Sequence, residues 1–476
     1  MKSLKSICCL LLSFTLLASF SACKENPSED SGSTETEIVY VYQNAEGNEI
    51  SSGSNNNQSG NKSPDNSSKN NNNSAGADGG NMSAYKEKAK KYKGTTVRYA
   101  TWKDPELNED GPVIEAFEKE YGINVEIDMI GQTEYAFEIA GMIAADNSPD
   151  IYFANNDLPH FLSCVQPIDA AEIDRTDPIW DQSLLEASTI NGKTYLVNTV
   201  GNIWNEAACV FYNKRLMEEN SITTPEEYYN SGKWNFDALT KVMRDVAALG
   251  SDYIGGYIDW ENALGLTGSS YYRWENGKFT NGITNTLKDV MVKLSEYLKE
   301  GLIKGIGDYN RRDDFVKGKT GIAITDAFGL KGNGYFAKMN PDDIGFTYLP
   351  SFSSSVPLHS TGIYRGWGII KGSKNPVAAG IFLRYYLDVN NYDLSASFIN
   401  SEAESFFFKL TSASTQSEKF YVPTIGCYRA LGSNWGDLSY VATNDPSQVR
   451  SKIDAMNNRI NSEIKELNAY IDKYTK

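Results

Sequence analysis

The sequence predicts an α/β fold, and three observations carry that reading. From Thr95 onward, short β-branched and aromatic runs alternate with amphipathic helical segments. Those strand-like runs end in loops that combine Trp with Asp, Glu or Asn. Finally, the 476 residues include 12% aromatics, ample apolar surface for a large folded body.

The elements follow in order. Thr96–Thr101 reads as a strand, 111–121 as a helix with Val113, Ile114, Phe117 and Tyr121 on one face, and 124–130 as a strand alternating at period two. A second unit repeats the pattern: a helix over 134–146, the breaker Ser148-Pro149, and a strand at Ile151–Ala154 opening into Asn155-Asn156-Asp157. Further strands are expected at 208–212, 253–258, 321–325, 344–349 and 366–371. Helices are expected at Lys214–Glu219, 235–249, Asn285–Glu300, 376–387 and in the tail from Asp445. Thr224-Pro225-Glu226-Glu227 reads as a helix start, with Thr224 as cap and Pro225 at the first helical position.

Charge and motifs exclude several classes. Lys plus Arg total 45 against 61 Asp plus Glu, a net charge of −16. That balance argues against a general nucleic-acid partner, because phosphate neutralisation needs clustered cations. Only His160 and His359 are present and no HExxH helix exists, so no metal site is expected, and no cofactor is implied. Asp313–Thr320, DDFVKGKT, ends like a phosphate loop but begins with Asp where glycine is needed. The stretch from Gly305 to Asn310 lacks the third glycine of a dinucleotide fingerprint, and no GxSxG elbow occurs. Glu138, Glu172 and Glu296 read as solvated carboxylates rather than a glycosidase pair.

The N-terminus reads as an export signal over residues 1–22: Lys2 and Lys5, an apolar run from Ile7 to Phe20, then Ser21 and Ala22 before Cys23. Two processing readings stand, an ordinary cut after Ala22 or lipidation of Cys23 at a lipobox-like Ser-Ala-Cys. The second is preferred, although Phe20 stands where such motifs usually carry Leu. Residues 23–83 are expected to form a tether, since 51–83 is dominated by Asn, Ser and Gly and cannot bury a core. About 60 flexible residues reach on the order of 40 Å. Within it, 37–43 (EIVYVYQ) is strand-like or simply an unstructured apolar patch. Past the signal and Cys23, Cys164, Cys209 and Cys427 remain. An odd number implies no disulfide framework, and three buried thiols are preferred over one bridge plus a thiol.

Aromatic–carboxylate pairing at strand exits points to a sugar site. A sugar ring has apolar C–H faces and a hydroxyl rim, so its site joins flat rings to carboxylates and amides. Trp102 with Asp104, Asn155 with Asp157, Trp204 with Glu206, and Trp260 with Glu261 fit that description. Each alone is equally readable as a half-buried loop aromatic.

Several anchors in fixed order resemble the family 1 extracellular solute-binding proteins of ABC importers, the group containing maltose-binding protein. They are Phe117–Ile123 (FEKEYGI), Ser148–Phe153 (SPDIYF), Asn191–Leu196 (NGKTYL), Glu206–Leu216 (EAACVFYNKRL), Phe315–Thr325 (FVKGKTGIAIT), Ile344–Pro350 (IGFTYLP) and Gly366–Pro376 (GWGIIKGSKNP). The resemblance implies a two-lobed periplasmic-binding-protein (Venus flytrap) fold with hinge strands between the lobes. One lobe would comprise 94–205 with 351–390, the other 206–350 with 391–476. By the same resemblance, Trp102, Asp104, Asp157, Glu206, Asp326 and Phe328 would touch the solute, and Trp367 is added as a candidate. Ala154 stands where maltose-type proteins carry an aromatic, so maltodextrin specificity does not follow. The function implied is a lipid-anchored, extracytoplasmic, monomeric receptor that delivers a carbohydrate, an oligosaccharide by preference, to the permease subunits of an ABC importer. The alternatives are a receptor for another polar solute and a surface-anchored glycan-active enzyme.

Overall fold

The computed structural model describes residues 79–102, 104, 110–132, 134–154, 158, 161–199, 207–269, 271–275, 277–308, 310–354, 356–360, 366–388, 398–410 and 445–475. The signal, Cys23, the segment 37–43, the tether up to residue 78, His160 and Cys427 lie outside the described residues.

In chain order the first part contains α1 (Gly79–Ala89), β1 (Thr96–Thr101), α2 (Asp110–Tyr121), β2 (Asn124–Met129), α3 (Tyr135–Ala144), β3 (Ile151–Ala154), α4 (Phe161–Cys164), β4 (Val165–Gln166), α5 (Gln182–Ala187), β5 (Thr189–Ile190), β6 (Lys193–Thr194) and β7 (Leu196–Val197). The middle continues with β8 (Ala208–Asn213), α6 (Lys214–Glu219), α7 (Pro225–Asn230), α8 (Phe236–Ala247), β9 (Ile254–Ile258), α9 (Trp260–Gly265), β10 (Tyr272–Glu275), β11 (Lys278–Asn281), α10 (Asn285–Glu300), α11 (Asn310–Val316), β12 (Thr320–Asp326) and β13 (Ile344–Thr347). The last part holds β14 (Gly366–Ile370), α12 (Pro376–Tyr386), α13 (Ser401–Leu410) and α14 (Val449–Thr475).

Two larger sheets define two lobes. The first runs β2-β1-β3-β14-β4, with β7 also on β14; β1 is parallel to β2 and β3, and β14 antiparallel to β3. The second runs β13-β8-β12-β9, with β12 parallel to β9 and antiparallel to β8. The chain passes from first sheet to second between β7 and β8, and returns between β13 and β14. This is the mixed α/β, two-lobed architecture expected from the sequence.

Local chemistry explains the elements. Asn213, Asn235 and Thr284 each accept the backbone N–H three residues on, capping α6, α8 and α10. Thr224 and Glu227 form a reciprocal capping box at α7 with Pro225 at its first position, as read from the sequence. Gly318, at φ +73°, turns the chain from α11 into β12. The GKT stretch is therefore a helix-to-strand turn, the reverse of the strand-to-helix order a phosphate loop requires. Gly345 lies flat against the Tyr212 ring, which leaves no room for a Cβ.

In the first lobe, Phe117 and Tyr121 of α2 pack on Phe382 and Tyr385 of α12. There the buried Arg384 donates from Nε to Asp177 at 2.6 Å and from Nη1 to Asp388 at 2.6 Å. Helix α14 lays Val449, Ile453, Ile460, Leu467 and Ile471 into the core at intervals of four and seven residues, one face of the helix. It packs on α10 and β11 of the second lobe, and its Tyr470 hydroxyl accepts from Ser163 N of α4 in the first at 3.2 Å. Among the described residues, Cys164 and Cys209 are buried and form no disulfide; Cys427, the third thiol expected to be buried, lies outside them.

Three features differ from the sequence reading. Helix α1 begins at Gly79, within the Asn/Ser/Gly-rich stretch, and docks Tyr85 and Ala89 into the first core. The two-residue strands β4–β7 carry too little alternation to be seen. The β10–β11 hairpin is anchored by distant partners, with Asn468 of α14 bonding both the N–H and the carbonyl of Phe279.

Candidate functional site

In the first lobe the parallel pair β1 and β3 is in register only at Tyr99 and Ile151, after which the strands part. The Tyr135 hydroxyl fills the gap, donating to Ala100 O at 2.8 Å and accepting from Phe153 N at 2.9 Å. Burial pushes its phenol well above the usual range, so it remains neutral. Trp102, half-buried just past β1, sits edge-on to Tyr135 with centroids 4.8 Å apart and lies 5.6 Å from Phe153. Phe153 pairs across the sheet with Trp367, at 4.5 Å. The Trp367 indole donates to the Tyr99 hydroxyl at 3.4 Å and reaches Tyr386 of α12, so this residue bridges the strand exit and the core. Asp104 lies half-exposed two positions past Trp102.

The second lobe presents a polar network at the carboxyl ends of β9 and β12. Asp259, buried at the end of β9, accepts from the hydroxyls of Tyr257 and Thr325 and from Arg312 Nη2, the last at 2.7 Å. The Arg312 guanidinium, carried by α11, lies over the Tyr335 ring at 3.6 Å. Burial works against its charge, but the Asp259 carboxylate outweighs that effect and raises its pKa. The Tyr335 hydroxyl donates to Asp326 Oδ2 at 2.8 Å, while Asp326 Oδ1 accepts from Phe328 N at 3.0 Å. Burial pushes the Asp326 carboxyl up to about 7, with the Tyr335 hydrogen bond opposing and Asp259 adding to the rise. Phe328, half-buried, meets Tyr335 edge-on at 5.2 Å.

Of the residues singled out from sequence, Trp102 and Trp367 thus share one aromatic cluster, and Asp326 and Phe328 share another. Trp260 and Glu261 open α9, directly after Asp259. Asn155, Asp157, Trp204 and Glu206 lie outside the described residues. Both clusters border chain that links the sheets: Ala327 N donates to Ala207 O at 2.8 Å just before β8, and Trp367 lies at the start of β14. Sequence reading missed Tyr135, Phe153, Arg312 and Tyr335. Phe153 and Tyr135 read as ordinary strand and helix residues, and Arg312 and Tyr335 are separated from Asp326 by a turn on either side.

His359 is a core residue: Nδ1 lies 2.7 Å from Pro357 O and Nε2 2.9 Å from Gly265 O, and burial lowers its pKa. Among the described residues, no group of three or more His, Cys, Asp or Glu is placed to hold a metal ion, and no helix is long and apolar enough to cross a membrane.

Residues 76–389 match the family model of bacterial extracellular solute-binding proteins. No curated protein sequence matches the chain. Solved structures similar to it include the GacH receptor of Streptomyces glaucescens, determined unliganded and with acarbose, at 16% identity and TM-score 0.58, covering 78% of this chain and 98% of that one. The extracellular solute-binding protein of Staphylococcus aureus in complex with maltose matches at 16% identity and TM-score 0.55, over 79% and 98% of the two chains. The galacto-N-biose/lacto-N-biose I-binding protein of the Bifidobacterium longum ABC transporter, in complex with lacto-N-biose, matches at 13% and 0.57, over 76% and 97%.

Proposed function

Because the chain belongs to the bacterial extracellular solute-binding protein family, we propose that it is a lipid-anchored receptor that captures a carbohydrate, an oligosaccharide by preference, for the permease of an ABC importer. The observation that carries the carbohydrate reading is the pairing of half-buried rings with carboxylates at the carboxyl ends of parallel strands in both sheets: Trp102 with Asp104 nearby, and Phe328 beside Asp326. Stacked rings meet the apolar faces of a sugar, while polar groups around them meet its hydroxyls. The sugars bound by the similar solved proteins support the same class.

The solute would lie in a cleft between the lobes, against Trp102, Asp104, Asn155, Asp157, Trp204, Glu206, Trp260, Glu261, Asp326, Phe328 and Trp367. The proposed lobes are 94–205 with 351–390 and 206–350 with 391–476, in keeping with the sheet to which each described strand belongs. Contact with both lobes would favour a closed form over an open one, and the permease would recognise the closed outline. Cys23 would carry the lipid that holds a monomeric body at the outer face of the membrane.

A thermal-shift screen of mono- and oligosaccharides against amino acids and peptides tests this reading. Sugars alone are expected to raise the melting temperature; a rise with amino acids or peptides alone would refute the carbohydrate assignment. Mass analysis of the mature N-terminus tests lipidation of Cys23. One observation favours a second reading. Asp326, titrating near 7, sits close to the Arg312-paired Asp259, a pattern shared with glycosidase acid pairs. Turnover of a glycan, abolished by Asp326→Asn, would establish an enzyme instead; binding without turnover is the expected result.

A further inference from the structure

The second-lobe wall is layered. Asp259 fixes Arg312 by an ion pair at 2.7 Å, Arg312 covers one face of Tyr335 at 3.6 Å, and Tyr335 meets Phe328 edge-on at 5.2 Å. Asp326 closes the arrangement, holding the Tyr335 hydroxyl with one oxygen and the Phe328 backbone N–H with the other. Asp259 is itself held by the hydroxyls of Tyr257 and Thr325. Arg312, Tyr335 and the Phe328 ring are half-buried, while Asp259 at the base of the stack is buried.

We propose that Arg312 is a positioning residue for solute binding: its planar guanidinium fixes Tyr335, and through Tyr335 the ring of Phe328, as the second-lobe platform. The assignment of Phe328 as the ring that meets the solute rests on the carbohydrate reading; the mechanical link from Arg312 to Phe328 rests on geometry alone. Asp326, proposed above as a solute contact, also ties the two rings together within the wall. Arg and Lys differ at such a position. Lysine retains a charge for Asp259 but has no planar face to lay on a ring.

The test uses the full mature chain with 4-fluorophenylalanine at position 328 and reads its fluorine resonance without ligand. Arg312→Lys is expected to shift or broaden that resonance while the protein keeps a cooperative melt. Arg311→Lys serves as the control, because Arg311 pairs with Asp308 and Asp314 on its own side of the helix. Tyr335→Phe, which retains the ring but loses the hydrogen bond to Asp326, is expected to alter the resonance as well, and it stands in if Arg312→Lys fails to fold. A resonance unchanged in folded Arg312→Lys overturns the proposal, and so does one unchanged in Tyr335→Phe, since Arg312 is held to act through Tyr335.

A binding arm uses maltotetraose and lacto-N-biose as probes. Arg312→Lys is expected to weaken binding about fivefold in the natural background and by less than about twofold in a Phe328→Ala background, since coupled residues are non-additive. Equal losses in the two backgrounds would show that Arg312 does not act through Phe328. If neither probe binds, the failure concerns the sugar reading, and the fluorine resonance still decides the link. If a probe binds while Arg312→Lys changes neither affinity nor resonance, the sugar reading stands and the link is refuted.

Discussion

Asp326 connects stability to pH through a single side chain. Its folded pKa, near 7, lies above the ordinary aspartate value of 3.8, so the folded state holds this proton more tightly than the unfolded chain. The stabilising contribution is fully present below the unfolded value and is lost as pH rises through about 7. Denaturant unfolding between pH 4 and 8 is therefore expected to show a downward component that Asp326→Asn removes; an identical slope in the variant contradicts it. Trp102 carries a different expectation. If its ring is a stacking platform, Trp102→Ala weakens sugar affinity by about 1 kcal/mol or more by calorimetry, whereas unchanged affinity reduces it to a packing partner of Tyr135 and Phe153. Trp102 could be singled out in the sequence because it follows directly on a strand, whereas Asp326, the last residue of β12, and Phe328 came from the family resemblance. Arg312 and Tyr335 were not legible, because tertiary contacts alone bring α11 and the segment after Phe328 together over Asp259 and Asp326.

Elements with strong local patterns were legible for equally physical reasons. The helical period of the wide apolar face identifies α8, while β12 is read from a short, continuous apolar run with Gly318 before it. The short strands β4–β7 exist because neighbouring strands supply their partners, and no local signal could reveal them. Helix α14 was legible as amphipathic, but its role in tying the hairpin, α10 and α4 together was not. Leu467 is fully buried on its inner face, so Leu467→Ala is expected to lower stability by about 2–5 kcal/mol in denaturant unfolding. A loss below about 0.5 kcal/mol would mean that the helix end is not packed. The buried triad around Arg384 of α12 makes a second expectation. Arg384→Ala leaves Asp177 and Asp388 buried without their cation, at a cost of roughly 3–5 kcal/mol, while Tyr385, on the same helix, remains in place. A melt indistinguishable from the natural protein's contradicts that account.

At the scale of the whole molecule, the low-complexity content and the aromatic content belong to different parts of the chain. Asn, Ser and Gly concentrate in 51–83, whereas the rings concentrate in the two lobes and, in part, at their strand exits. The chain passes between the two sheets twice, between β7 and β8 and between β13 and β14, and hinge bending is the proposed means by which solute contact becomes a change of shape. A saturating sugar is accordingly expected to reduce the radius of gyration in solution scattering, and an unchanged radius would argue that binding occurs without closure. The alternation of strands and helices made the α/β class readable, and ordered anchors made the family readable, because both reside in contiguous sequence. The candidate site side chains are assembled from distant segments, which is why their grouping was not readable. The central claim, capture of a carbohydrate without chemistry, is tested most directly by titration calorimetry of the mature chain against a panel of neutral oligosaccharides, amino acids and peptides. Saturable one-to-one heats with a sugar, recovered unaltered from the complex, are predicted; saturable heats with amino acids or peptides and none with any sugar would contradict it.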